Sequence, residues 1–273
     1  MSAHESGVDS HGKKYKDVED LWREQFVDPS LAASSNPDVS SKKIEWYQKG
    51  ADYWMSQDAS VDGVLGGFGH ISPVDLSGSK SFLQKLPGIQ YGRAIDCGAG
   101  IGRISKGLLC PLFQHVDLVE QNPVYVDKAK EYCAGLKSMK EYYVQGLQDF
   151  QFARHGYDVI WIQWVIGHLP DTDFLPFMER CVAGLKPGGY IVLKENNAKK
   201  GFVMDLDDQS LTRTDAQFRA LFEKAKLKLV YVDLQKNFPS ALFPVRMYAL
   251  QPETHPTTET DATTATAPAT EAK

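Results

Sequence analysis

Residues 41–250 of this 273-residue chain predict one α/β domain, a mostly parallel sheet with helices on both faces. Three observations carry the prediction. Short β-branched and aromatic runs alternate with stretches of helical spacing. A glycine-rich turn follows the first buried run directly. Two runs in succession close the domain, which argues for an antiparallel last strand. One nucleotide fingerprint and the absence of internal repeats argue for a single domain.

The elements follow in order. A helix is predicted over residues 44–56, where Ile44, Tyr47, Ala51 and Trp54 recur every three or four positions. The loop DGVLGGFG at 62–69 comes next, then a short helix over 79–86. A buried strand at 94–97 runs into Gly98-Ala99-Gly100-Ile101-Gly102 and a helix to about residue 109. A second strand covers 116–120, and a helix over 123–136 starts at proline. Strands are predicted at 142–145 and 157–162, then a helix over 174–185 ended by Lys186-Pro187-Gly188-Gly189. The remainder reads as a strand at 190–194, a helix over 215–225, and strands at 227–233 and 245–250. Residues 1–40 are polar and are expected to be mostly disordered. The Thr- and Ala-rich residues 251–273 should form a disordered tail.

Composition narrows the function classes. The hydrophobic fraction of 42% and charged fraction of 24% are those of a globular protein. A net charge of -5 suits a cationic partner better than nucleic acid, which is not expected as a ligand. The most apolar run, 159–169, is too short to span a membrane and is interrupted by Gln163. Cys97, Cys110, Cys133 and Cys181 form no CxxC pair, so reduced thiols and no metal site are expected. With no signal-like N-terminus, the expected location is cytoplasmic, nuclear or both.

The sharpest motif is DCGAGIGR at 96–103. Glycines directly after a first strand let backbone approach a ligand closely. A dinucleotide fingerprint, GxGxxG, requires glycine where Arg103 stands; GxGxG spacing favours S-adenosylmethionine. Glu120, 22 positions after Gly98, suits the ribose hydroxyls of either ligand and does not discriminate. Arg103 is a candidate partner for the methionine carboxylate. Leu147 and Gln148 stand where an adenine ring would sit, and Gln163 ends the fourth strand near the sulfonium.

Four runs resemble one family closely: VDGVLGGFGHIS (61–72), DCGAGIGR, GLQDF (146–150) and WIQWVIGHL (161–169). They look like the protein N-terminal methyltransferases, which methylate the α-amine of proteins beginning X-Pro-Lys or X-Pro-Arg. The resemblance covers roughly residues 44–250. It implies a class I methyltransferase (Rossmann-like) fold of seven strands, with an N-terminal helical extension and a β-hairpin. It implies S-adenosyl-L-methionine as cofactor and S-adenosyl-L-homocysteine as product. Carried over by position, cofactor contacts fall on Gly98, Arg103, Glu120, Gln121, Asn122, Leu147, Gln148 and Gln163. Substrate contacts fall on Tyr53, Trp54, Trp164, His168, Asn196, Asp205, Asp208 and Ser210. Glu120-Gln121-Asn122 departs from the family's more usual Asp-hydrophobic-Thr.

These residues suit the chemistry. Methyl transfer needs a neutral amine held in line with the methyl group. A protein α-amine has a pKa of about 7.7–8.0, so modest help deprotonates it. Asp208 and His168 are the candidate bases; a core histidine and a solvated loop acid are the alternatives. Trp164 offers a flat wall for a proline ring, and Trp54 a lid whose face attracts cations. The acids of Asp205-Leu206-Asp207-Asp208 suit a lysine or arginine.

Overall fold

The computed structural model describes residues 5–26 and 39–253. A seven-stranded sheet forms the centre: β3 (Arg93–Cys97), β4 (His115–Glu120), β5 (Met139–Val144), β6 (Tyr157–Gln163), β7 (Leu185–Asn196), β10 (Leu227–Leu234) and β11 (Val245–Pro252). Its spatial order is β10-β11-β7-β6-β3-β4-β5. All pairs are parallel except those of β11, which is antiparallel to both β7 and β10. Chain order reverses on either side of β3, which opens a crevice at the carboxyl ends of β3, β4 and β6, the usual ligand position in such sheets.

Helices cover both faces. α5 (Asp171–Gly184) and α6 (Asp215–Lys224) bury Phe174, Phe177, Phe218 and Phe222 against one side. α3 (Ser72–Leu83) and the helical turn Ser105–Leu109 bury Phe82, Leu83, Leu108 and Leu109 against the other. The turn is wound with a five-residue bond, Cys110 N–H to Ser105 O at 2.8 Å. α4 (Pro123–Tyr132) starts where Asn122 caps it and proline fills its first position.

Several predicted boundaries differ. α2 (Val39–Met55) and α3 begin earlier than their apolar spacing suggests. Pro73 opens α3, a position where proline's missing N–H costs no helical bond. Lys186-Pro187-Gly188-Gly189, expected to end a helix before a separate strand, lies inside β7.

The N-terminal expectation of disorder is overturned for residues 5–26. They form β1 (Gly7–Asp9), β2 (Lys14–Tyr15) and α1 (Val18–Phe26). β1 pairs in parallel with β8 (Val203–Asp205), and β8 forms the implied hairpin with β9 (Ser210–Thr212). The reason is a separate core. Tyr15, Leu21, Trp22 and Phe26, sparse in a polar stretch, meet Trp46, Phe202, Met204 and Leu211 from distant positions. The remaining residues of 1–40 and of the predicted tail fall largely outside the described residues; 251 and 252 belong to β11.

Candidate active site

Strand register assembles the first half of the site. Cys97 pairs with Val119 on one side and Ile162 on the other. The next residue of each strand, Gly98, Glu120 and Gln163, therefore stands at one edge of the sheet. All three line a single cavity, together with Arg103, Gln121, Leu147, Gln148, Trp54, Trp164 and His168. A β-carbon on Gly98 would lie 2.4 Å from Val165 Cγ2, at a φ of 67°, so only glycine fits there. Val64, from the glycine-rich loop, closes over Gly100.

Glu120 is held in place by backbone. Gly100 N–H donates to its Oε2 at 3.0 Å and Asn122 N–H to its Oε1 at 2.9 Å. Burial pushes its carboxyl upward, and the N–H donors oppose that. Asn122 itself stands behind the wall. Its Oδ1 accepts from Val124 N–H at 3.0 Å as the cap of α4, and it does not line the cavity. Leu147 and Gln148 are fixed from beneath by Arg180 of α5, whose Nη2 donates to their carbonyls at 2.8 and 2.9 Å. Asp96, below the glycine turn, accepts from Ser105 N–H at 2.9 Å and Oγ–H at 2.7 Å, and burial pushes its carboxyl up to about 6.

Arg103 and Gln163 share a partner that the sequence does not flag. Asp75 of α3 is fully buried; Arg103 Nη1 donates to it at 2.7 Å and Gln163 Nε2 at 3.0 Å. Lys194, cross-strand neighbour of Gln163, meets the same carboxylate at 2.5 Å. An acid in the first turn of a helix reads from sequence as a dipole partner, so nothing local marks Asp75.

The second half is built by α2, the turn Ile166–His168 and the β8–β9 hairpin. Trp54 Nε1–H donates to His168 Nε2 at 3.2 Å, and His168 Nδ1 lies 3.1 Å from Gln209 O. An indole N–H only donates and a carbonyl only accepts, so both contacts fit a neutral ring with its proton on Nδ1. Trp46 Nε1–H donates to His168 O at 2.8 Å, and Tyr125 O–H to Trp54 O at 2.8 Å. Trp164 sits at φ 53°, an uncommon conformation for a bulky residue, with the Arg103 guanidinium 5.5 Å above its ring. Its buried Nε1 has no partner among the described residues.

Asp208 differs from His168. Its Oδ1 is buried without a hydrogen-bond partner among the described residues. Burial raises its carboxyl; the His168 ring and the Ser210 hydroxyl and N–H oppose the rise. Asp205, opposite Ser210 in the hairpin, is exposed, as is Asp207. Tyr53 lines a shallow depression with Lys49, Asp52, Leu206 and Asp207, outside the main cavity. Burial raises its hydroxyl, and so do the charges of Asp208, Asp205 and Asp207, which puts all three acids within its field. Asn196 ends β7, half-buried, and does not line the cavity. Beside it lies an unflagged acid, Glu195. Its Oε1 accepts Asn196 N–H at 2.8 Å, its buried Oε2 has no partner among the described residues, and burial pushes its carboxyl up to about 8.

Fold and cavity together define a class I methyltransferase. Residues 42–251 match the family model of AdoMet-dependent proline di-methyltransferases, and the chain belongs to that family. An α N-terminal protein methyltransferase 1 from Dictyostelium discoideum is 44% identical over 90% of this chain and 91% of its own length. An N-terminal Xaa-Pro-Lys N-methyltransferase 1 from Danio rerio is 45% identical over 77% of this chain and 96% of its own. A solved SAM-dependent methyltransferase from Leishmania major superposes with a TM-score of 0.83 at 36% identity, covering 92% of this chain and 98% of that one. The chain is thus an S-adenosylmethionine-dependent methyltransferase. The residues present fit that cofactor. Gly98 leaves backbone open to close approach, Glu120 sits at the end of β4, and the buried Asp75, Arg103 and Lys194 together leave one positive charge for a carboxylate.

Proposed function

We propose that this chain methylates the free α-amine of proteins beginning X-Pro-Lys or X-Pro-Arg. The observation that carries the reading is Asp208: a buried carboxylate oxygen with no partner among the described residues, next to Gln209 of the hairpin, whose carbonyl meets His168 at the cavity wall. The names of the relatives point the same way.

Bound S-adenosylmethionine supplies an electrophilic methyl on a sulfonium and leaves as S-adenosylhomocysteine. Glu120 takes the ribose hydroxyls, Arg103 the methionine carboxylate, and Leu147 and Gln148 the adenine. Gln121 is available at the same rim, whereas Asn122 acts indirectly by capping α4 and through its N–H to Glu120. Trp164 forms the wall for the proline ring, and Trp54 stays in place because His168 accepts its N–H. Asp208 Oδ1 takes the ammonium proton, which frees the nitrogen lone pair to form the new N–C bond. His168, both ring nitrogens engaged, holds Trp54 and the Gln209 carbonyl. Asn196, Ser210 and Tyr53 border the incoming chain, and Asp205 meets its third residue.

A peptide beginning Ser-Pro-Lys should gain methyl groups at its α-amine in mass spectrometry, and its acetylated form should gain none. Asp205 is exposed, and an exposed ion pair contributes about 0.2–1 kcal/mol. Ser-Pro-Gln should therefore react only a few-fold more slowly unless the bound peptide covers Asp205. Methylation of internal lysines as fast as the α-amine would sink the reading.

A further inference from the structure

The region behind Arg103 is the densest buried ionic cluster outside the reacting groups. Asp75, with no exposure, lies between two cations: Arg103 Nη1 at 2.7 Å and Lys194 Nζ at 2.5 Å. Lys194 is itself fully buried and donates further to Ser79 Oγ at 2.8 Å and Gln235 Oε1 at 2.7 Å. Ser72 Oγ accepts from Arg103 Nη1 at 3.3 Å. The cluster joins α3, β6, β7 and the segment after β10.

Two features suit a task beyond holding the fold. The first concerns orientation. Gln163 gives its Nε2 to both Asp75 oxygens at 3.0 Å and receives Trp161 Nε1–H on its Oε1 at 3.0 Å. Reversing that amide would set its oxygen against a carboxylate and its NH2 against an indole N–H, so one orientation is fixed. Arg103 is clamped through one nitrogen only, which leaves donors of its planar fork for a second carboxylate. The second feature is charge. Two cations face one anion in a water-poor site, and an incoming carboxylate completes the balance. Buried charge favours such pairing strongly.

We infer that Asp75 is a positioning residue for the methionine end of the cofactor, orienting Arg103 and Gln163 together towards its carboxylate. This rests on the proposed placement of that carboxylate at Arg103. Asp75 touches neither cofactor nor substrate; it acts through the two side chains that line the cavity.

The test is calorimetry with two ligands that share the nucleoside and differ at the other end. S-adenosylhomocysteine carries the amino-acid carboxylate; methylthioadenosine lacks it. Asp75→Asn should weaken S-adenosylhomocysteine by about tenfold or more, the scale of a hydrogen bond to a charged group, and leave methylthioadenosine within about twofold. Asp75→Asn also strands Lys194 as an unpaired buried cation whose field favours a carboxylate and works against this loss, so the deciding variant is Asp75→Asn with Lys194→Met, which keeps the net charge at one and removes only the orienting bonds. It restores packing without that charge and should show the same selective loss. Equal weakening of both ligands in a folded variant makes Asp75 a structural residue and overturns the inference, as does unchanged affinity for both. If the unsubstituted chain binds the two ligands equally, the Arg103 placement fails first and takes the inference with it.

Discussion

At the residue scale, Asp208 and His168 have different surroundings, although the sequence offers both as bases. His168 has a partner on each ring nitrogen, whereas Asp208 offers an oxygen with no partner among the described residues. Asp208→Asn should lower kcat by about 10²–10⁴-fold, the span of a lost general base, with cofactor affinity nearly unchanged. Raising the pH through about 8 should partly restore it, because the free amine then forms without help. His168→Ala should lose activity mainly through a displaced Trp54, and higher pH should not restore it. Rescue of the histidine variant alone would reverse the two roles. Because burial raises Asp208, the acid limb of the kcat profile should lie above the ordinary carboxylate range. Gly98, Glu120 and Gln163 are legible in the sequence because each directly follows or ends a buried strand, a local fact. Asp75 is not, because its partners lie 28, 88 and 119 positions away and only the fold brings them in. Asn122 shows how a local cap and a cofactor contact share one spacing: its Oδ1 serves α4, while its buried Nδ2 has no partner among the described residues.

At the scale of elements, β1, β2 and α1 act as a clasp on α2 and the β8–β9 hairpin. They precede the 42–251 span that matches the family model. Ser10 Oγ accepts Leu206 N–H at 3.2 Å, and Trp22 packs edge-on at 5.4 Å against Trp46, which in turn holds His168. None of the clasp residues lines the cofactor cavity. Trp22→Ala removes a large buried side chain, a change typically costing about 3–5 kcal/mol where the fold cannot collapse around it. It should lower kcat/KM for peptide several-fold and leave the Kd for S-adenosylhomocysteine unchanged. A parallel loss in both would show that the clasp supports the whole fold. The clasp is poorly legible because its four core residues are scattered through polar sequence and need a surface supplied from residues 46 and 202–211. The alternating sheet is legible because β3, β4 and β6 are buried along nearly their whole length and read as short apolar runs.

For the whole molecule, Glu195 ties stability to pH. Burial raises its carboxyl from the ordinary 4.5 to about 8, so the folded chain holds this proton more tightly than the unfolded chain. Its contribution is therefore intact below about 4.5, declines as pH rises, and is fully lost above about 8. Glu195→Gln should flatten this part of the pH dependence of Tm between those limits. An unchanged slope in the variant would mean that the charge is accommodated elsewhere.

The pairing of β1 with β8 also bears on how the chain leaves the ribosome. Ser10 and Leu206 are 196 positions apart, and at roughly 5–20 residues per second the N-terminal strand waits on the order of ten to forty seconds for its neighbour. Through that interval Tyr15, Trp22 and Phe26, which follow that strand, stand without Phe202, Met204 and Leu211, open to any nascent-chain chaperone that reads apolar side chains. The strands bearing Gly98, Glu120 and Gln163 emerge before β8, but β10 and β11 of the same sheet emerge after it, so the central sheet closes only once the hairpin is already made.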